Sequence, residues 1–389
     1  MPSSRPMSRS LVTASLTAFV LMLGLGVLFP VLPFLTRELG ISDAAAGALL
    51  AAYPLASFVA SPFWGRFSSR RGRKPALVIG LVGYAVGFGL FGLGRSFGEL
   101  LAARVLGGLV SAAALPALFA YVADVTIAEK RSSAMGVLGA GIGLGVTFGP
   151  LVGWLTWSAF GLRAPYFVSA AIGLLNAALV AQLLPESTSA ASRAEPSRTP
   201  FASLAAPLAP FLACSFLTST ARIAVDSTFG FFAQNTLGAT PRGVGMLLFA
   251  MGLASALVQG GLIRSLAWRV SDGAIFAGGC AVMGGGLTAF AFAAGWTSAT
   301  LAGLAVASGF ALLSPTLNAL LSRAAESAQG EAQGLNGSAT ALSRVIAPLL
   351  FTSGLWPRAG ALGTFGVAAG LCLVALAVAL ARFRIRVVA

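Results

Sequence analysis

The chain has 389 residues, of which 57% are hydrophobic and 9% charged, and its mean hydropathy is +0.89. Soluble globular proteins carry about 25% charged residues, so this composition excludes a soluble enzyme and a disordered chain. The formal charge of +14 would suggest nucleic acid in a soluble protein, but membrane proteins also gather Arg and Lys, on their cytoplasmic loops.

A membrane-spanning helix needs about 20 mostly apolar residues. Apolar runs bounded by charge, Pro or Gly predict twelve such helices: 11–36, 45–67, 75–94, 98–122, 134–158, 164–184, 207–234, 243–263, 273–294, 298–321, 333–356 and 360–381. The first run is too long for the apolar core of a cleavable signal peptide and leads straight into further spans. The longest polar stretch, 186–203, is rich in Ser, Ala and Pro and reads as a flexible linker. The expected chain is an all-α membrane protein in two six-helix halves, 1–186 and 207–389, joined by a cytoplasmic linker at 187–206.

Loop charge sets the expected orientation. With the N-terminus in the cytoplasm, 17 of the 25 basic residues fall on the cytoplasmic side. Five fall opposite (Arg37, Arg95, Arg163, Arg242 and Arg358), and Arg104, Arg222 and Arg344 lie within spans. That bias obeys the positive-inside rule and puts both termini in the cytoplasm of a cell (inner) membrane. Located this way, the charge is a topology signal, and no nucleic-acid partner is expected. The sequence has no histidine, and Cys214, Cys280 and Cys372 sit inside apolar stretches as small hydrophobes. No metal site and no cofactor is predicted.

The loop after the second span reads Gly65-Arg-Phe-Ser-Ser-Arg70-Arg-Gly72-Arg73-Lys74-Pro75. As chemistry it is a tight turn carrying a cationic cluster, which an ordinary positive-inside loop would also show. Its spacing resembles the signature loop of the major facilitator superfamily, Gly-x-x-x-Asp-Arg-x-Gly-Arg-Arg/Lys, with Ser69 in place of the Asp. In the first span, Leu23-Gly24-Leu-Gly-Val-Leu-Phe-Pro30-Val31-Leu-Pro33 is similar to twelve-span drug:proton antiporters of that superfamily. In the fifth span, Gly145-Val-Thr-Phe-Gly149-Pro150-Leu-Val-Gly153 resembles their Gly-x-x-x-Gly-Pro-x-x-Gly-Gly motif, with Trp154 in place of the last Gly. The stretch from Ala120 to Arg131, with Asp124, looks like the connection between spans four and five of tetracycline-type exporters. The segment from Gly334 to Pro348 has a superfamily cast as well.

The resemblance implies the major facilitator fold, two pseudo-symmetric six-helix bundles around a midplane site. It further implies a cytoplasmic gate built from Gly65, Arg70, Gly72, Arg73, Lys74 and Asp124. For Asp124 the plainer alternative is a solvated helix end. The row Gly145, Gly149 and Gly153, with Pro150, reads first as a close-packing face and, by resemblance, as an antiporter element.

Ionisable residues inside spans are costly unless paired or wet, so each is a functional candidate. Arg222 and Asp226 are four apart on one helix face and can form an ion pair. Asp226 is the deep carboxylate available to carry a proton, and a static structural pair is the alternative. Arg104-Val-Leu-Gly107-Gly108 resembles the antiporter pattern Arg-x-x-Gln-Gly, with Gly107 where that pattern has Gln. Arg344 completes the deep set. Tetracycline exporters carry an Asp aligned with Leu21, so tetracycline itself is not the expected substrate. Phe29, Phe229, Phe232, Gln234, Asn235, Gln259 and Asn318 are candidate cavity linings.

The expectation is a monomeric secondary transporter, not an enzyme. It exports hydrophobic or amphiphilic small molecules by proton antiport, as in multidrug efflux and antibiotic resistance. The alternatives are a metabolite or sugar exporter or uniporter on the same fold, and a non-transporting sensor on a transporter scaffold.

Overall fold

A computed structural model describes residues 5–187, 201–266, 269–325 and 329–383. The helices are α1 (Arg5–Glu38), α2 (Asp43–Arg71), α3 (Arg73–Leu93), α4 (Phe97–Ser111), α5 (Ala114–Val125), α6 (Ala128–Phe160), α7 (Ala164–Leu183) and α8 (Phe201–Leu237). They continue as α9 (Pro241–Leu257), α10 (Ile263–Leu266), α11 (Asp272–Ala291), α12 (Trp296–Ala324), α13 (Gln329–Ala347) and α14 (Trp356–Arg382). Two π-helical segments, Val258–Leu262 and Pro348–Leu355, complete the described elements.

Polar residues start the helices where the sequence leaves an apolar run. The Ser42, Ser96, Ser271 and Thr240 hydroxyls accept from the backbone N–H three residues on, at 3.3–3.4 Å. Each satisfies one of the four donors that a helix start leaves open. Around the helices, Phe160, Leu175, Leu301 and Leu373 are largely exposed, at positions where a soluble protein would place charge.

Eleven continuous helical runs are long and apolar enough to cross a bilayer. The last, Ala332–Arg382, has 51 residues, a length of roughly 75 Å against a hydrocarbon core of about 30 Å. Gly360 divides it, with φ +55° and ψ −148° inside the run, a conformation that favours a residue lacking Cβ. The twelve spans read from the sequence are therefore all present.

Three differ from a plain helix. The fourth breaks at Ala112 and Ala113 between α4 and α5, because Pro116 has no N–H to return to the Ala112 carbonyl. Spans eight and eleven each pass into a π segment, the second starting at Pro348. Helix α8 also starts at Phe201, inside the stretch read as linker, while residues 188–200 of that stretch lie outside the described residues.

The chain forms two compact units, one of residues 1–45 and 52–194, the other of 46–51 and 195–389. In the first, the main pairings are α1 with α6, α3 with α7, α3 with α4, and α1 with α7. In the second they are α8 with α13, α11 with α14, α11 with α12, and α8 with α14. Counted as spans, each pairing of the first unit recurs in the second six spans later. That internal repeat is characteristic of secondary transporters.

Candidate functional site

The cationic loop becomes a defined cluster. Arg73, the first residue of α3, sets its Nε 3.1 Å from Oδ2 of Asp124, in the last turn of α5. Its guanidinium also donates to the Ser68 hydroxyl at 3.2 Å. Gly72 turns the chain between α2 and α3 at φ +107°. Arg70 is exposed, Lys74 is half-buried, and Gly65 has open space where a Cβ would stand. Ser69, at the position where the superfamily loop carries Asp, donates its hydroxyl back to the Gly65 carbonyl at 2.9 Å.

Two residues at the start of the polar stretch 186–203 belong to this cluster. Glu186 Oε1 accepts from the backbone N–H groups of Arg73 at 2.8 Å, Lys74 at 3.3 Å and Ser187 at 3.1 Å. The Ser187 hydroxyl donates to the same Asp124 oxygen that meets Arg73, at 3.2 Å. An acid directly after the sixth span, on the same side of the chain's topology as the basic loop, was the available signal.

The Arg73–Asp124 pair is partly solvated, with side-chain exposures of 25% and 34%. A double-mutant cycle of Arg73→Ala and Asp124→Ala on thermal stability is therefore expected to give a coupling of only about 0.2–1 kcal/mol. A larger coupling would mean the pair is held far more rigidly than its exposure suggests.

Inside the first unit, Arg104 of α4 is 7% exposed, and its guanidinium carbon lies 4.7 Å from the centre of the Tyr53 ring. The Tyr53 hydroxyl in turn meets the Ser111 hydroxyl at 2.5 Å. Beside them is a cavity of about 10 Å³ lined by Tyr53, Tyr84, Phe88, Phe91 and Arg104, among others. That is room for a water molecule and not for a drug. Gly107 packs closely: its absent Cβ would stand 3.1 Å from the Cα of Gly87 on α3, so a side chain there would press α3 and α4 apart. Leu21 is buried.

The glycine row of α6 faces α1. A Cβ on Gly145 would stand 2.3 Å from the Phe19 carbonyl oxygen, and one on Gly149 would stand 2.6 Å from the Cα of Gly26. Gly153 has slightly more room, with the Val27 carbonyl oxygen at 3.3 Å, and Pro150 is buried against the same seam.

In the second unit, Arg222 and Asp226 of α8 form an ion pair at 2.7 Å, with side-chain exposures of 13% and 21%. Phe310 of α12 lies 6.0 Å from the Arg222 guanidinium. Arg344 stands apart from this buried setting. It is exposed on α13, whose Gln333, Gly337, Thr340 and Arg344 recur at helical spacing along one face.

The expected cavity linings divide. Phe229 and Phe232 are 0% and 1% exposed and pack edge-on against Phe290, with Phe232 also against Phe365. The structure thus corrects their reading as cavity linings: they fill the core between α8, α11 and α14. Asn318 accepts from the Asn336 amide at 2.9 Å. Phe29 and Gln234 are half-buried, whereas Asn235 and Gln259 are exposed, Gln259 within the first π segment.

The second unit also carries a pair that sequence reasoning did not find. Asp272, the first residue of α11, meets Arg323, in the last turn of α12, at 2.9 Å. These are the positions of Arg73 and Asp124 moved six spans on, with the charges exchanged. The members of each pair lie 51 positions apart, 73 to 124 and 272 to 323, and that equal spacing was the available signal. Among the described residues, no cluster of three or more His, Cys, Asp or Glu is placed to hold a metal.

Twelve apolar spans in two repeated bundles, with ionisable groups inside the spans, make a polytopic membrane protein with the internal repeat of secondary transporters. The Major Facilitator Superfamily model matches residues 14–348, and the chain belongs to that superfamily. It is 30% identical over 351 residues to multidrug resistance protein 2 of Bacillus subtilis, covering 85% of each chain. It is 29% identical over 342 residues to the class C tetracycline resistance protein of Escherichia coli, again covering 85% of each. Among solved structures, the human organic anion transporter MFSD10 superposes with a TM-score of 0.72 at 20% identity, over 97% of this chain and all of that one. The last likeness concerns the fold alone.

Proposed function

We propose that this transporter exports hydrophobic or amphiphilic small molecules, drug-like compounds among them, in exchange for protons, working as a monomer with both termini in the cytoplasm. The observation that carries the coupling is the Arg222–Asp226 pair, a carboxylate and its counter-charge inside a membrane-spanning helix. Ionisable groups at such depth are retained where they move an ion or bind a substrate. A proton arriving on Asp226 removes its charge, releases Arg222 and changes the cost of each conformation, which is what coupling requires. Arg73 and Asp124 act as the cytoplasmic gate, with Arg70, Gly72 and Lys74 shaping the turn. The multidrug and tetracycline resistance proteins to which the chain is similar support the substrate class. Three intramembrane arginines against one aspartate favour neutral and anionic amphiphiles over cations.

Reconstituted proteoliposomes test this directly. Flux of anilinonaphthalene sulfonate and of ethidium is followed with and without an imposed pH gradient. The gradient is expected to accelerate flux, the anionic dye is expected to be preferred, and Asp226→Asn is expected to abolish the acceleration. Full flux without a gradient, together with an inconsequential Asp226→Asn, would instead establish a uniporter.

A further inference from the structure

The two charge pairs occupy equivalent places in their bundles, yet they stand oppositely to the helix dipoles. A helix N-terminus is favourable to anions and a C-terminus to cations. Asp272 at the start of α11 and Arg323 at the end of α12 obey that rule. Arg73 at the start of α3 and Asp124 at the end of α5 break it twice.

The caps differ in the same sense. Helix α11 starts on Ser271, whose own hydroxyl accepts from the Ala274 N–H. Helix α3 starts on Gly72, which has no side chain to cap with. The Glu186 carboxylate fills that place, its Oε1 taking the N–H groups of Arg73 and Lys74. Glycine suits the approach: φ is +107° there, and a Cβ at position 72 would lie 2.6 Å from Glu186 Oε2, so the carboxylate would have to shift.

We propose that Glu186 is a positioning residue of the first-half clamp, supplying the negative charge at the α3 N-terminus that the reversed Arg73–Asp124 pair lacks. Through Ser187, which shares Asp124 with Arg73, it also ties the start of the inter-bundle linker to that clamp. The second-half clamp needs no such helper because its own charges lie with the dipoles. The functional consequence rests on the gate reading above: the first clamp is the one whose closure depends on a residue outside the pair.

The test uses the full chain in proteoliposomes, with hydrogen exchange read at the amides of Arg73 and Lys74 and at the start of α11. Glu186→Gln keeps an acceptor oxygen but loses the charge. It is expected to speed exchange at Arg73 and Lys74 about tenfold, as Glu186→Ala does, with the start of α11 unchanged. If Gln preserves wild-type exchange and only Ala raises it, Glu186 is a neutral cap and the inference is overturned.

Exchanging the pair, Arg73→Asp with Asp124→Arg, is expected to be harmful beside Glu186 and to be rescued by adding Glu186→Gln. Absence of that rescue in a folded triple variant also overturns the inference. Should the variants fail to fold, the wild-type chain decides the matter. Going from 0.1 to 1 M salt, where the screening length falls from about 10 to about 3 Å, should speed exchange at Arg73 and Lys74 and leave the start of α11 unchanged. Equal salt sensitivity at the two sites overturns the proposal. Faster exchange in Glu186→Gln with unaltered dye flux supports the role of Glu186 and refutes the gate.

Discussion

Asp226→Ala is expected to destabilise the protein by about 3 kcal/mol, the lower end of what breaking a buried ion pair costs. The remaining exposures of 13% and 21% keep it at that end. The loss comes chiefly from Arg222, left charged beside Phe310 with its counter-ion gone. Replacing both partners, Arg222→Met with Asp226→Leu, removes the charge that would be stranded and is expected to restore most of the stability. Transport separates the roles: the double replacement should fold and yet lose all acceleration by a pH gradient. Thermal unfolding in detergent, paired with dye flux in liposomes, reads both quantities. A double variant that is stable and still driven by the gradient would place the coupling elsewhere in the chain.

Gly149→Ala and Gly145→Ala are each expected to cost about 1–3 kcal/mol, the cost of overpacking a tight interior. The atoms that the new methyl would meet are backbone: the Gly26 Cα and Leu23 carbonyl at position 149, and the Phe19 carbonyl at position 145. No side-chain rotation can relieve those contacts, so α1 and α6 must move apart. Gly143 is the internal control. It lies on the same helix with nothing within 4 Å, and Gly143→Ala should be neutral or stabilise slightly through helix propensity. Gly153→Ala, with its nearest neighbour at 3.3 Å, belongs between the two. Thermal unfolding of the four single variants gives the ranking. If Gly143→Ala cost as much as Gly149→Ala, the row would matter for something other than the α1–α6 seam.

The sequence was explicit about what depends on local composition. Twenty apolar residues make a span whatever their partners, so the spans were legible, including the last pair that the Gly360 break separates within one long helical run. The Arg222–Asp226 pair was legible because i and i+4 lie side by side on any helix. The Arg73–Asp124 pair was legible only through resemblance, since 51 positions separate its members. Glu186 was hidden for the same reason, 113 positions from the amide it caps and at the edge of a stretch that reads as linker.

Phe229 and Phe232 mark the other boundary. On one helix, a phenylalanine facing a cavity and one facing a neighbouring helix have the same sequence signature, and only the arrival of Phe290 and Phe365 distinguished them. Arg344 is a candidate by its position in an apolar run, and that it stands on the exposed face of α13 was set by packing. By itself the sequence determined the membrane class, the number of spans, the repeat and the charge asymmetry, because hydropathy and periodicity act within one helix. The tertiary structure alone decided which glycines touch backbone and which aromatics are core. It also decided that a carboxylate beyond the sixth span holds the start of the third. These are contacts between helices far apart in the chain, and no local pattern encodes them.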